Sequence, residues 1–301
     1  MTESFNNKAN DVATPATDRR LVLKTSLATI AALGTGAFST LANAQAFPAA
    51  SSDVDTAILN FALNLEYLEA EFYLRAVYGQ GLGPKNTSGR DHNGSVTGGS
   101  KVPFKTDAIH AYAREIADDE RNHVEFLRSA LGAHKVAEPD INLKHSFNAL
   151  AQAAGLGNKF DPFSSEENFL LGAFIFEDVG VTAYHGAAKL ITNKTYLDAA
   201  AGILAVEAYH AGIIRLLCYQ AGLAASANKI SDLRNDLSAA AGAPAVTDQG
   251  ITLKGKANLV PADSNSIAYE RTTSEVLNIV YAGGKKNDFG FFPKRLNGHF
   301  N

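Results

Sequence analysis

Apolar residues recur at helical spacing in four long segments of the chain. The first segment follows a capping-type start at residues 52–55 and is predicted to end near Gly79. A second helix is predicted over about 106–131, a third from a capping box at 164–167 to about 191, and a fourth over about 195–221. No run of alternating strand type competes with them, so the pattern predicts an all-α fold built around a four-helix bundle.

The segments between and after these helices are less regular. Residues 79–105 are rich in Gly, Ser and Asn and hold no sustained period, which predicts a long loop whose role the sequence leaves open. Extra short helices are predicted near 147–154 and, after a capping box at 272–275, through Tyr281. Over 223–268 the helical pattern weakens and turn residues appear. We therefore expect a bundle over residues 45–222 and an irregular C-terminal extension, residues 223–301, packed on it.

Residues 1–44 have the features of an export signal. Arg19 and Arg20 precede a mildly apolar stretch, and residues 42–44 give the small-x-small pattern of a cleavage site. The arrangement resembles a twin-arginine signal peptide. The apolar stretch is shorter than the roughly 20 residues of a spanning helix. We therefore expect a periplasmic or secreted protein without a membrane anchor once the signal is removed.

Composition limits the kinds of site and partner that the chain can have. Hydrophobic residues make up 46% of the chain and charged residues 19%, as in a globular protein. The net charge is −4 and no basic stripe is present, so we expect no nucleic-acid partner. The single cysteine, Cys218, excludes an intramolecular disulfide and a cysteine cluster for zinc or iron–sulfur.

Polar residues inside the apolar helices carry the candidate chemistry. On the fourth helix, Glu207 and His210 lie three residues apart and therefore share one helix face. The second helix repeats this Glu-x-x-His pattern at Glu120 and His123, and the third carries Glu177 after an apolar run. Each motif alone also fits a solvated or hydrogen-bonded pair. The order Glu, Glu-x-x-His, Glu, Glu-x-x-His, one element per helix, predicts a two-metal carboxylate site.

The first helix offers two carboxylates on its apolar side, Glu66 and Glu69. Glu66 is followed seven residues later by Tyr73, just as Glu177 is followed seven residues later by Tyr184. The first and third helices therefore look like copies of each other, as do the second and fourth. This echo selects Glu66 as the ligand and leaves Glu69 as an accessory carboxylate or an interior polar residue.

Residues 59–73, with the sequence LNFALNLEYLEAEFY, and the tail motif at 290–294, GFFPK, resemble the ferritin-like, desiccation-related proteins of plants, fungi and bacteria. The resemblance covers about residues 53–298 and implies a ferritin-like bundle with two iron or manganese ions. By analogy with carboxylate-bridged diiron proteins, it implies the following roles. The two metals would be bridged by Glu120 and Glu207. Terminal ligands would be Glu66, Glu177, His123 and His210. Hydrogen-bond partners of these ligands would be Tyr73 and Tyr184.

Four carboxylates and two imidazoles suit iron or manganese better than copper(I). We expect redox chemistry on a small oxidant, O₂ or peroxide, linked to stress protection, in the form of a ferroxidase, peroxidase or catalase-like reaction. The catalase-like reaction is favoured because it needs no electron donor. The alternative is a non-enzymatic protein that binds metal for stability or sequesters iron during desiccation stress. Metal identity, substrate and homo-oligomer formation stay open.

Overall fold

The protein is described by a computed structural model that covers residues 53–243, 245–283 and 290–301. The predicted export signal at residues 1–44 lies outside the described residues. In chain order the helices are α1 (Asp53–Tyr78), α2 (Pro84–Thr87), α3 (Asp107–Leu131), α4 (His145–Ala153), α5 (Glu166–Ala188), α6 (Lys194–Gln220), α7 (Ala224–Ala240) and α8 (Thr273–Val280). Helices α1, α3, α5 and α6 are the four predicted long helices, and they form an all-α bundle.

The bundle consists of two helix pairs, with α1 packed along α3 and α5 packed along α6. Helices α1 and α5 are buried on nearly every side, whereas α3 and α6 each keep one face toward solvent. Aromatic rings fill the space between the pairs at one end. Phe72 of α1 stacks on Phe169 of α5 with ring centroids 5.6 Å apart, and it also meets Phe147 and Phe176. This packing fixes the helices around the polar residues deeper in the bundle.

Two short sheets tie the connections together. Strand β1 (Val96–Thr97) pairs in parallel with β2 (Ile141–Asn142), with Val96 opposite Ile141. Strand β3 (Thr252–Leu253) pairs antiparallel with β4 (Lys256–Ala257). Because β1 lies within the long 79–105 connection, that segment is anchored to the chain that follows α3.

The start of α5 differs from its predicted capping box. Ser165 is the N-cap, and its side chain accepts a hydrogen bond from the backbone N–H of Asn168 at 3.1 Å. The box predicted over residues 164–167 is therefore wrong in register. Glu166, the first residue of α5, accepts hydrogen bonds from the backbone N–H groups of Lys105 and Thr106 at 3.0 and 2.9 Å. Its carboxylate thus joins the start of α5 to the start of α3. At α8 the predicted capping box, Thr272 with Glu275, is present.

Helix α7 is a long helix that was not predicted from the sequence. It occupies residues 224–240, where only turns were expected. Its sequence is rich in Ala, Ser and Asn, so the apolar period is weak, and its inward face is set by Ile230 and Arg234 rather than by a run of large apolar residues. The C-terminal tail packs on the bundle, where the ring of Phe291 lies 4.8 Å from that of Phe176.

Helix α6 is long and apolar enough, by length and composition alone, to cross a membrane. Core helices of globular proteins pass the same test, and one such helix is weak evidence. The buried face of α6 carries Glu207, His210 and Arg215. This helix therefore brings ionisable groups into the bundle.

A chain of buried charges attaches the C-terminal segment to the bundle. We call it the Arg–Asp ladder, and its members are Arg215, Asp178, Arg234, Asp248 and Arg271. Neighbouring members form ion pairs of 2.7 to 2.9 Å. The ladder links α5, α6, α7 and the residues before α8.

Candidate metal centre

The six predicted ligands meet in the interior of the bundle. They are Glu66 on α1, Glu120 and His123 on α3, Glu177 on α5, and Glu207 and His210 on α6. The four glutamates are at most 1% exposed, and both imidazoles are buried. One ligand element from each helix therefore reaches a common interior point, in the order that the sequence predicts.

The first group of ligand atoms surrounds His123. Its Nδ1 lies 3.2 Å from Glu66 Oε2, 3.5 Å from Glu120 Oε2 and 3.6 Å from Glu207 Oε1. All ligand atoms of this group lie within 4.8 Å of one another. Three carboxylates and one imidazole so arranged can hold one metal ion.

The second group surrounds His210. Its Nδ1 lies 3.1 Å from Glu120 Oε1 and 3.7 Å from Glu177 Oε2, and these ligand atoms also lie within 4.8 Å of one another. Glu120 thus offers one oxygen to each group and is placed to bridge two ions. Glu207 belongs to the first group alone, so its bridging role stays a prediction.

The donor atoms fit a metal because hydrogen bonds leave many of them unused. Buried side-chain atoms without a hydrogen-bond partner include Glu120 Oε1, Glu120 Oε2, Glu177 Oε2, Glu207 Oε1, Glu207 Oε2 and His210 Nδ1. Buried polar atoms in native proteins are nearly always satisfied, because leaving them unpaired costs free energy. So many unpaired acceptors, all pointing at one place, are what a cation site requires.

Two tyrosines hold the terminal carboxylates, and they do so crosswise. Tyr73 of α1 donates its hydroxyl hydrogen bond to Glu177 of α5, and Tyr184 of α5 donates to Glu66 of α1. Each helix therefore supplies one ligand and the tyrosine that orients the other helix's ligand. This exchange gives a physical reason for the repeated Glu-to-Tyr spacing, and it orients both carboxylates toward the interior.

Electrostatics show that the cluster demands positive charge. Burial, the largest cause, raises the pKa of Glu66 to about 7 and that of Glu177 to about 8, against the opposing charges of the imidazoles. Burial and the neighbouring carboxylates hold the pKa of Glu207 well above its usual range.

The pKa values of the two histidines are raised as well, which favours the charged form of each imidazole. Burial alone would lower the pKa of His123, but the carboxylates of Glu66 and Glu120 prevail and raise it to about 11. Burial likewise opposes the charged form of His210, whose pKa Glu120 and Glu177 raise to about 9. Burial would raise the pKa of Glu120, but its interactions with the two imidazoles lower it. Protons thus supply part of the positive charge that the carboxylates require.

Glu69 lies beside the cluster without belonging to either ligand group. It is 5% exposed, and burial together with the charges of Glu120 and Glu66 raises its pKa well above the usual range. Gly180 makes room for it on α5, since a Cβ there would stand 3.4 Å from Glu69 Oε1 and 2.4 Å from Glu207 Oε2. Glu69 therefore stays an accessory candidate at the edge of the site.

One residue at the site was not singled out from the sequence. Asp119 Oδ2 lies 3.1 Å from His210 Nε2, the ring nitrogen that faces away from the other ligands. The available signal was its place immediately before Glu120. Other histidines contact different groups. The partners are Asp140 for His92, the ring of Phe104 for His110, and the backbone carbonyl of Tyr269 for His185.

Comparisons with known proteins agree with this architecture. The model of the ferritin-like domain family matches residues 54–220. The chain is 32% identical over 268 residues to desiccation-related protein PCC13-62 of Craterostigma plantagineum, covering 81% of this chain and 83% of that protein. It is 27% identical over 272 residues to ferritin-like catalase Nec2 of Nesocodon mauritianus, covering 82% of this chain and 84% of that protein. No solved structure gives a significant match. The family match contains all six predicted ligands, and the chain belongs to the ferritin-like domain family.

Proposed function

We propose that this protein binds two iron or manganese ions at the Glu/His cluster and disproportionates hydrogen peroxide, as a catalase does. The observation that carries the proposal is the pair of ligand groups joined by Glu120, whose buried donor atoms lack other partners. A similar protein is named a ferritin-like catalase, which supports the same reaction here. Two bound redox-active ions would supply the two-electron change that converts two H₂O₂ into O₂ and two H₂O.

The residues of the chain contribute position and charge to this chemistry. Glu120 presents one oxygen to each group, so it holds the two positions close together. Tyr73 and Tyr184 fix the terminal carboxylates by hydrogen bonds, which limits their rotation. Gly180 keeps the space between Glu207 and Glu69 free of a side chain. The burial of the cluster excludes bulk water and strengthens every electrostatic interaction inside it.

The proposal is tested first by metal analysis and then by measurement of O₂ release. Protein loaded with Mn²⁺ or Fe²⁺ is expected to hold about two ions per chain and to release O₂ from H₂O₂ in an oxygen electrode. Glu207→Gln is expected to lower the O₂ rate at least about a hundredfold, because it removes an anionic ligand. The matched control is Asp198→Asn on the exposed part of the same helix, which should keep the full rate. Undiminished O₂ release by Glu207→Gln would refute the catalytic proposal.

A second candidate is a closed metal site that stabilises the bundle without turnover. The near-complete burial of the four glutamates favours it, and so does the similarity to a desiccation-related protein. In that case metal would still bind and raise the melting temperature, but loaded protein would release no O₂. Export is also part of the proposal, and isolation of a chain lacking residues 1–44 from the periplasm or medium would test it.

A further inference from the structure

The two histidines of the metal centre differ in the hydrogen-bond partner of Nε2, the ring nitrogen that faces away from the other ligands. His210 turns Nδ1 toward Glu120 and Glu177, and its Nε2 lies 3.1 Å from Asp119 Oδ2. The Asp119 side chain is 37% exposed, while that of His210 is 6% exposed. The imidazole is thus fixed from the solvent side by a carboxylate on the facing helix.

His123 has no equivalent arrangement. Its Nδ1 faces the ligand carboxylates in the same way. Within residues 53–243, 245–283 and 290–301, however, no hydrogen bond reaches its Nε2. The two imidazoles therefore face the cluster with the same atom but are supported unequally.

The repeat between α3 and α6 explains the difference. Each helix carries Glu-x-x-His, and the residue immediately before the Glu is Asp119 on α3 but Val206 on α6. Asp119 supports the histidine of α6, so the equivalent position for the histidine of α3 is Val206. A valine side chain has no hydrogen-bond acceptor. One substitution between two copies of the same motif thus makes the centre asymmetric.

We propose that Asp119 is a positioning residue for one of the two metal positions, and that it strengthens metal binding at the position formed by His210 and Glu177. The inference rests on the proposed metal centre. A carboxylate that accepts the outer N–H of a metal-binding imidazole fixes the ring and increases its donor strength. Loss of such a partner typically weakens metal binding by about 10- to 100-fold.

The test measures Mn²⁺ binding by calorimetric titration of metal-free protein, so it does not depend on turnover. Asp119→Ala is expected to weaken one of the two binding steps by about 10- to 100-fold and to change the other by less than about threefold. The matched control is Asp118→Ala. Asp118 is the neighbouring carboxylate, and it contacts Tyr78 and Arg121 instead of a ligand. This control should leave both steps unchanged.

Two histidine variants assign the affected step to a position. In a His123→Ala background the remaining step should still respond to Asp119→Ala, whereas in a His210→Ala background it should not. A purely structural role for Asp119 would affect both backgrounds equally. Val206→Asp provides the reciprocal gain and should tighten the step that depends on His123 by about tenfold.

The outcomes separate this inference from the metal centre itself. If wild-type protein binds two Mn²⁺ ions and Asp119→Ala leaves both steps unchanged, or weakens both equally, the inference is wrong and the metal centre stands. If wild-type protein binds no Mn²⁺ and no Fe²⁺, the metal centre and the inference both fail.

Discussion

Two neighbouring residues on α5 face two different buried charge clusters. Glu177 points into the metal centre, and Asp178 points into the Arg–Asp ladder. Both residues are nearly fully buried, at 1% and 3% exposure. The helix therefore carries two carboxylates that lost the same hydration on folding but gained different partners.

The ladder pairs each of its carboxylates with two guanidinium groups. Asp178 Oδ2 accepts hydrogen bonds from Arg215 and Arg234, both at 2.7 Å. Asp248 accepts from Arg234 at 2.9 Å and from Arg271 at 2.7 Å. Three guanidinium groups thus face two carboxylates. Arg234 also stacks on the ring of Phe174, with 4.4 Å between its Cζ and the ring centroid. Such a cluster needs no further ion.

The metal centre does not balance its charges. Five buried glutamates, counting Glu69, surround two imidazoles, and several of their oxygens have no hydrogen-bond partner. Burial, the largest cause, and the neighbouring carboxylate of Glu120 raise the pKa values of Glu66 and Glu177. The comparison separates a structural cluster, in which each charge has an opposite partner, from a binding cluster, in which positive charge must come from outside the chain. This criterion concerns charge balance rather than burial.

The largest effect is expected from breaking the ladder. Arg234→Met keeps much of the side-chain volume but leaves the carboxylates of Asp178 and Asp248 without their shared partner. We expect the free energy of unfolding to fall by about 3–5 kcal/mol, the usual cost of removing one member of a buried ion pair. Urea denaturation of metal-free protein measures it. A loss below about 1 kcal/mol would show that the ladder is not structural.

The control variant for that prediction lies in the metal centre. In metal-free protein, burial and the neighbouring carboxylates already disfavour a charge on Glu207, so Glu207→Gln replaces its carboxyl group with a neutral amide of similar size. Its unfolding free energy should therefore stay equal or rise, in contrast with that of Arg234→Met. A large loss of stability in both variants would contradict the distinction between the two clusters.

Much of this arrangement follows from local sequence. The Glu-x-x-His pairs could be predicted because Glu207 and His210 stand in a segment whose other residues are nearly all small or apolar. The Glu-to-Tyr echo favoured Glu66 over Glu69, and of these two residues only Glu66 lies in one of the ligand groups. The cause of the echo, the crosswise hydrogen bonds, is a tertiary contact. Helix ends were predicted where capping residues mark them.

The missed features depend on long-range contacts. Asp119 stands in a polar, half-exposed part of α3, and its partner His210 lies 91 residues away. Arg234 lies on α7, whose weak apolar period gave no sign of a helix, and its partner Asp178 lies 56 residues away. From the local sequence alone, charged side chains are predicted to be exposed to solvent. Buried ion pairs are therefore the least predictable part of such a fold.

Glu138 is a buried carboxylate outside both clusters, and it tests the charge-balance criterion in a third environment. It is 4% exposed, and burial, together with the charge of Glu71, raises its pKa to about 9. Between the unfolded pKa near 4.5 and the folded pKa near 9, the native protein holds a proton that the unfolded chain releases. Stability should therefore fall as pH rises through this window, by at most about 1.4 kcal/mol per pH unit.

Glu138→Gln should remove this pH dependence, because the amide is neutral at every pH. We expect a gain of about 2 kcal/mol in unfolding free energy at pH 8 relative to wild type, and little change at pH 5. Chemical denaturation at several pH values measures both. An equal effect of the substitution at pH 5 and pH 8 would mean that Glu138 is ionised in the native protein at both pH values.

The smallest expected effect is that of the two tyrosines. It tests whether the two metal positions bind their ions independently of each other. Because Tyr73 binds Glu177 and Tyr184 binds Glu66, each hydroxyl supports the ligand of one metal position. Tyr73→Phe should weaken the Mn²⁺ step that depends on His210 by about fivefold, and Tyr184→Phe the step that depends on His123, since one hydrogen bond contributes about 1 kcal/mol. Tyr209→Phe, a residue 79% exposed on α6, is the control and should change neither step. If each tyrosine instead affected both steps equally, the two positions would act as one unit.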